Sequence, residues 1–260
     1  MPVRPRAIWK PLLAACAAAW LPTRALAQQP GSELSRARER GAHVDRVVLM
    51  PTAQTQPRGT LFISDYEIVV PSVGYALSDR VQIAATGLSD FSQFGLLDVT
   101  LKASVLRTRY VHVAALASLD YARGDNDELP FGRATLVTQL CADPGCRSSF
   151  SLAASLVAHD QPDTLLPLAL GAGFVGRISD TFDALLEYSA IVNAGPQLDV
   201  IDLPVYLAAY GARMRFGSHW ALDVTLLRPM QEDDELRTKE PELLRFLGVP
   251  FLVLTWRVEP

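Results

Sequence analysis

The sequence predicts an all-β fold, an up-and-down antiparallel transmembrane β-barrel with about 12 strands, about 10 being the alternative. Three observations predict it. Apolar and polar residues alternate with a period of two, as in "GLLDVTLKASVLR" at residues 95–107. Tight connections alternate with long polar ones along the chain. The alternating stretches also have the roughly 9–11 residues that a strand needs to cross an outer membrane.

The chain begins with the features of a secretory signal peptide. Basic residues up to Lys10 precede an apolar run, and Ala25-Leu26-Ala27 forms an A-x-A cleavage site. We therefore expect residues 1–27 to be removed, which places the protein in the cell envelope. Lipidation at Cys16 is the alternative, but Lys10 and Pro11 leave few apolar residues ahead of that cysteine.

The charge of the mature chain excludes one class of partner. Without residues 1–27 the chain has 20 basic and 28 acidic residues, a net charge of −8. This sign gives no electrostatic footprint for nucleic acid. No window of about 18 residues is apolar and free of charge, so membrane-spanning helices are not expected. Contact with a bilayer is expected through strands.

The predicted elements follow in order. Residues 28–44 are predicted to be a short, charged periplasmic extension, and residues 45–260 the barrel. "DRVVLMP" at 45–51 is counted as the first strand, and the stretch from 59 to 77 as the second. Clear alternation then predicts strands around 81–86, 97–105, 111–119, 149–159, 182–189, 206–216, 220–226 and 252–258. Two weaker strands, at 131–141 and 166–177, are rich in Ala, Gly and Leu on both faces.

The connections predict how the strands are arranged. Tight turns fall at Ser78-Asp79, Thr108, 142–145, Ser179-Asp180 and Gly217-Ser218. Longer polar connections lie between them, at 53–59, 87–95, 122–130, 159–165, 194–203 and 229–245. Short periplasmic turns and long outer loops are typical of outer-membrane barrels. A soluble exported barrel or sandwich, with its apolar face inward, is the alternative, but it would not need this asymmetry.

The two faces of the strands predict a polar lumen and a lipid-facing exterior. The predicted lumen-facing residues are Arg80, Asp98, Lys102, Asp120, Arg133, Arg177, Asp183, Glu187, Arg213, Arg215 and Asp223. An aromatic girdle at the short-turn ends is predicted from Tyr75, Phe150, Phe182, Phe216, Trp220 and Trp256.

Two cysteines remain in the mature chain, in "CADPGC". Export to an oxidising compartment and the turn-forming Asp-Pro-Gly between them predict a Cys141–Cys146 disulfide that closes a hairpin end. Two free thiols are the alternative.

Residues 50–86 resemble the opening hairpins of a bacterial outer-membrane β-barrel family of poorly defined function. The shared features are Pro51-Thr52, Gly59 and the turn "GYALSDR" that starts at Gly74. The resemblance implies an outer-membrane location and a barrel architecture, without a substrate. The chain ends in "TWRVEP" rather than in the terminal Phe usual in such barrels, with Trp256 as a candidate substitute.

Residues with catalytic or metal-binding chemistry are sparse. No nucleophile elbow, phosphate loop or zinc-protease motif is present. A His159-Asp160 pair at a loop edge leaves a rim-located hydrolase as a further alternative, but we expect no enzyme. His43 and His219 are isolated, and "EDDE" at 232–235 lacks the spacing of a calcium loop. No metal site and no cofactor are therefore predicted.

Two functions are compatible with these observations. The first, slightly favoured, is a small non-specific channel whose mixed lumen charges pass polar solutes. The second is a non-conducting barrel that has a structural role or presents surface loops, its interior filled by ion pairs. The expected partners are outer-membrane lipid, lipopolysaccharide and the outer-membrane assembly machinery, whereas the oligomeric state stays open.

Overall fold

The computed structural model describes residues 42, 44–67, 70–89, 95–123, 128–159, 168–192, 206–230 and 248–259. The predicted signal peptide, most of the predicted extension, the "EDDE" run and Asp160 lie outside these residues. No helix in the described part of the chain is long and apolar enough to cross a membrane.

Within the described residues, twelve strands form one closed antiparallel barrel, which confirms the predicted fold class. Each strand pairs with its neighbours in sequence, and β1 closes the ring against β12. The strands are β1 Leu61–Tyr66, β2 Val70–Ser78, β3 Val81–Ser89, β4 Gly95–Arg107, β5 Val111–Arg123, β6 Glu128–Cys141, β7 Ser149–His159, β8 Leu168–Arg177, β9 Phe182–Val192, β10 Tyr206–Phe216, β11 Trp220–Pro229 and β12 Val249–Val258.

The barrel is apolar outside and polar inside. Leu136, on the outer face of β6, is 54% exposed, whereas the inward-facing Asp223 of β11 is 0% exposed. This is the reverse of a water-soluble core, because successive side chains of a strand point to opposite faces and the apolar set points outward here. An apolar exterior around a polar interior is the arrangement of a barrel that has lipid as its outer solvent.

The barrel has the predicted twelve strands, but its first two strands are not the ones predicted. Residues 45–51 are not a barrel strand: Arg46 and Pro51 form an isolated bridge, and the Val47 N–H donates to the Met50 carbonyl over 2.9 Å. The stretch counted as the second strand divides into β1 and β2 at a turn that begins at Glu67, whose φ is +56°. Its length exceeds one crossing of the membrane, which explains the division.

The short turns, which follow β2, β4, β6, β8 and β10, all lie at one end of the barrel. The turn between β6 and β7 contains the predicted Cys141–Cys146 disulfide, with a Cα–Cα distance of 4.6 Å. Cys146 has φ of +53°, and its N–H donates to the Asp143 carbonyl over 2.8 Å. This conformation brings the chain back so that the two cysteines meet.

Candidate functional site

Residues 44–56, which we call the lumen hairpin, lie inside the barrel. The Thr52 N–H donates to the Asp45 carbonyl over 2.9 Å, and the Thr52 Oγ1 donates to the Val44 carbonyl over 2.7 Å. The Gln56 side-chain amide donates to the Ala42 carbonyl over 2.6 Å. These bonds hold the two arms of the hairpin together.

A carboxylate on β9 binds the tip of the lumen hairpin. The backbone N–H groups of Val48, Leu49 and Met50 all donate to Oε2 of Glu187, each over 2.9 Å. Successive N–H groups that converge in this way form a concave anion site. Because Glu187 is 2% exposed, these backbone donors take the place of water around its carboxyl group.

Two cations on the barrel wall bind carbonyl groups of the same segment. The Nζ of Lys102, on β4, donates to the Asp45 carbonyl over 3.1 Å. The Nη2 of Arg213, on β10, donates to the Val47 carbonyl over 2.7 Å. Arg213 is itself held by Asp223 through two bonds of 2.7 and 2.9 Å. Lys102 therefore points into the lumen and ends on the hairpin backbone.

Apolar side chains of the hairpin pack against a part of the barrel wall where glycines carry no side chain. Val47 and Met50 form a buried cluster with inward-facing residues that include Leu185. Two glycines of β8 leave room for them: a Cβ at Gly171 would lie 2.7 Å from the Met50 Sδ, and one at Gly173 would lie 2.7 Å from the Val47 Cγ2. The Gly- and Ala-rich character of this strand is thus explained by the packing of the hairpin.

The hairpin returns to the short-turn end before it enters β1. The Gln56 N–H donates to Oε1 of Gln82 over 2.9 Å, and Oγ1 of Thr55 donates to the Asp79 carbonyl over 2.7 Å. An Nη2 of Arg107 donates to the Thr55 Oγ1 over 2.8 Å. The hairpin therefore enters and leaves the lumen from the side of the short turns, which is the periplasmic side in outer-membrane barrels.

A second polar cluster lies on the long-loop side of the hairpin. Arg133 spans two acids that face each other across β4 and β5, with Nη2 2.7 Å from Asp98 Oδ2 and 3.4 Å from Asp120 Oδ1. Its Nε donates to the Ser118 Oγ over 3.2 Å. The Arg133 side chain remains 40% exposed. This part of the lumen is therefore partly open to solvent.

The other predicted lumen residues lie near the short turns. Arg215 pairs with Asp183 at 3.0 Å, and Arg177 pairs with the turn residue Asp180 at 2.9 Å. Arg80 lies in the β2–β3 turn, outside the strands.

The six residues predicted as an aromatic girdle are exposed on the barrel. Phe216 and Trp220 face each other where β10 and β11 meet, and the rings of Trp220 and Trp256 stack with centroids 5.7 Å apart. Tyr75, Phe150 and Phe182 lie toward the short-turn ends of their strands.

The disulfide turn has an ordered polar neighbour in His112, at the start of β5. The His112 Nδ1 is 4.0 Å from the Cys141 Sγ, and its Nε2 is 3.0 Å from the Thr108 carbonyl. Burial raises the pKa of Asp143 in this turn, but hydrogen bonds from Ser148, Gly145 and Arg147 outweigh it, so the pKa lies below its usual value.

Sequence reasoning missed the lumen hairpin. "VVLM" at 47–50 is an apolar run that resembles a buried strand. Two signals were available: "TAQTQP" at 52–57 does not alternate, and residues 61–78 are too long for a single crossing. The group formed by His112 and the two cysteines was also missed, because strand register brings the histidine to the turn.

Comparisons with known proteins give the chain no family. No family model and no curated protein matches the sequence. The chain is similar in structure to LpxR from Salmonella typhimurium, at 10% identity and a TM-score of 0.44, over 76% of this chain and 99% of that one. It is also similar to the Acinetobacter baumannii outer membrane protein Omp33, at 10% identity and a TM-score of 0.42, over 77% and 96%.

Proposed function

We propose that this outer-membrane barrel is closed by its own N-terminal segment and that the folded chain does not conduct in this conformation. One observation supports the proposal above all: the lumen hairpin is bonded to strands around the ring, from β3 and β4 to β9 and β10. A segment that reaches opposite walls of a closed barrel occupies its cross-section. The non-conducting function is thereby favoured over an open channel.

The chemistry of the contacts supports a stable closed state. Backbone N–H groups at the tip meet a carboxylate, and backbone carbonyl groups meet Lys102 and Arg213. Charge-assisted hydrogen bonds of this kind are stronger than neutral ones. Because the wall supplies both signs of charge at the positions where the hairpin backbone needs them, the lumen and the hairpin are complementary.

A gated channel for small polar solutes is the second candidate. It is favoured by the partly exposed Arg133 cluster, which keeps the long-loop side of the lumen polar. Withdrawal of the hairpin toward the periplasm would extend this polar surface through the barrel. The residues that now bind the hairpin would then line the path of the solute.

Planar-bilayer recordings separate these functions. We expect the refolded chain beginning at Gln28 to insert without steady conductance, and a chain beginning at Pro57, which lacks the lumen hairpin, to conduct. A chain beginning at Val44 is the matched control, because it loses the preceding segment but keeps the hairpin. Heat-dependent gel mobility of each protein establishes that the barrel has folded. Steady conductance of the chain beginning at Gln28 would show that the hairpin does not close the lumen.

Three expectations about chemistry and partners stay predictions. We expect no hydrolase activity, and the His159-Asp160 pair that motivated that alternative has its acid outside the described residues. The apolar exterior supports contact with outer-membrane lipid and lipopolysaccharide. Insertion by the outer-membrane assembly machinery is expected of any barrel of this kind.

A further inference from the structure

We propose that the dithiol form of the Cys141–Cys146 turn, together with His112, is a binding site for a thiophilic divalent cation such as Zn²⁺. The site lies at the short-turn end of β5, β6 and β7. The inference is independent of whether the barrel conducts, since it depends only on the disulfide turn and its neighbour.

The three candidate ligands already lie close together in the oxidised structure. One ligand atom of each of His112, Cys141 and Cys146 lies within 4.8 Å of the others, and all three residues are buried. With Zn–S near 2.3 Å and Zn–N near 2.0–2.1 Å, ligand atoms around a tetrahedral zinc ion lie roughly 3.5–3.8 Å apart. Once the S–S bond is open, the sulfur atoms need only separate to ordinary contact distance to reach this spacing.

The histidine is held in the orientation and tautomer that a metal ligand needs. A carbonyl oxygen can only accept, so the 3.0 Å bond from Nε2 to the Thr108 carbonyl places the ring proton on Nε2. The lone pair of Nδ1 then faces the sulfur of Cys141, 4.0 Å away. A backbone carbonyl on the remote nitrogen is a common partner of metal-binding histidines, because it fixes the ring and raises its basicity.

The pairing of β5 with β6 and the backbone of the β6–β7 turn both hold the three ligands close together. His112 is opposite Gln139 on β6, two residues before Cys141, so the strand ladder positions the ring over the first cysteine. The left-handed backbone at Cys146 turns the second cysteine back toward it. A rearrangement of the barrel is therefore not needed for the three residues to bind one ion.

The reaction that opens the site is thiol–disulfide exchange with a dithiol reductant. The reductant forms its own disulfide and supplies two electrons and two protons, so Cys141 and Cys146 become thiols. Binding of the cation then displaces both thiol protons to solvent, because thiolates are the ligands. The disulfide and the metal-bound form exclude each other, so the turn holds either a covalent bond or a cation.

A cobalt titration tests the proposal on the full-length mature protein in detergent micelles. The folded protein is reduced in place, with gel mobility showing that the barrel stays folded, and Co²⁺ is added as a spectroscopic probe. We expect one equivalent to bind, with thiolate-to-cobalt charge-transfer absorption that Zn²⁺ abolishes by competition. The oxidised protein should show no such absorption, and neither should reduced protein whose thiols have been alkylated.

Two histidine variants determine whether the site has three protein ligands. His112→Ala should weaken cobalt binding by at least about 10-fold, the lower end of the effect of losing a supporting partner. His219→Ala is the matched control, since it removes a histidine from a different short turn and should leave binding unchanged. Equal affinity and spectra for His112→Ala and the unmodified protein would overturn the proposal, as would the absence of thiolate absorption in the reduced protein.

Discussion

Glu187 shows how one side chain orders a whole segment. Its carboxylate collects three backbone donors at the hairpin tip, each over 2.9 Å. Without it, these N–H groups would lose the acceptor that they share. A buried donor left without a partner costs about 1–3 kcal/mol. The tip of the lumen hairpin is therefore held by a residue that lies more than a hundred positions away in sequence.

This dependence gives a first prediction. In Glu187→Ala, we expect the backbone amides of residues 48–50 to exchange with deuterium about 10–100-fold faster than in the unmodified chain, which corresponds to the loss of about 1.4–2.7 kcal/mol of local stability. Asp98→Ala is the control, because Asp98 binds Arg133 and Thr100, which are barrel residues outside the hairpin. Hydrogen exchange measured by mass spectrometry on the tip peptide decides the question, and equal rates in both variants would contradict it.

The lowered pKa of Asp143 gives a second prediction at this scale. A carboxyl group whose pKa is lower in the folded state stabilises that state above the unfolded value of about 3.9, and the contribution is lost as the pH falls through the folded value. Asp143→Asn should therefore destabilise the β6–β7 turn near neutral pH, and the difference should disappear in strong acid. Deuterium uptake of the turn peptide at several pH values provides the measurement. Asp180→Asn, at a turn residue that is 97% exposed, is the control and should leave this turn unchanged.

At the scale of elements, the strands were predictable and the hairpin was not. Leu97, Val99 and Leu101 alternate with polar residues, and only an extended strand places such a series on one face. "VVLM" at 47–50 carries no such periodicity, and an apolar run of this length fits a strand, a buried turn or a hairpin equally well. Its position in the lumen is set by Glu187, Lys102 and Arg213, whose approach depends on the closure of the whole ring.

The charged lumen residues were also predictable only in part. The period of two predicts a common face for them, but it does not predict their partners. Asp98 and Asp120 are direct neighbours in the β4–β5 register, so a pair of like charges needs Arg133 from the next strand. Register and closure depend on the stagger of the strands, which one sequence does not give. This is why the sequence could predict a polar lumen without predicting that the chain itself fills it.

Strand β8 gives a third prediction, because its glycines leave the space that the hairpin side chains occupy. In Gly173→Val, the new side chain would occupy the space of Val47 and Met50, and overpacking of this kind typically costs about 1–3 kcal/mol. We expect the hairpin to be displaced, so that the variant shows intermittent conductance in planar bilayers. Gly132→Ala is the control, since a Cβ there meets nothing closer than 3.9 Å. A silent Gly173→Val barrel that remains folded would show that the hairpin can repack in place.

For the whole molecule, apolar residues lie on the outer face of the barrel and polar residues on the inner face. This distribution determines which environment each face can contact. Ionised groups such as Arg213 and Asp223 are buried between strands as a pair, and their desolvation is offset by mutual hydrogen bonds and by the hairpin backbone. The large apolar side chains on the outer face of the described strands remain exposed, as Leu136 and Leu186 show. The apolar exterior and the hairpin inside the lumen therefore belong to one architecture, in which the hairpin backbone supplies hydrogen-bond partners to charged groups such as Glu187 and Arg213.

The last prediction tests this architecture with one substitution on each face. Leu136→Arg places a charge on the outer face near the middle of β6, where lipid-facing arginine destabilises outer-membrane barrels by about 2–4 kcal/mol. Thr100→Arg places the same side chain inside, next to Asp98 and on the partly open side of the lumen, so its cost should be much smaller. Reversible unfolding in lipid vesicles, followed by tryptophan fluorescence against denaturant, measures both. Equal penalties would mean that the outer face of β6 does not contact hydrocarbon, because only a surface without water makes an unpaired arginine this costly.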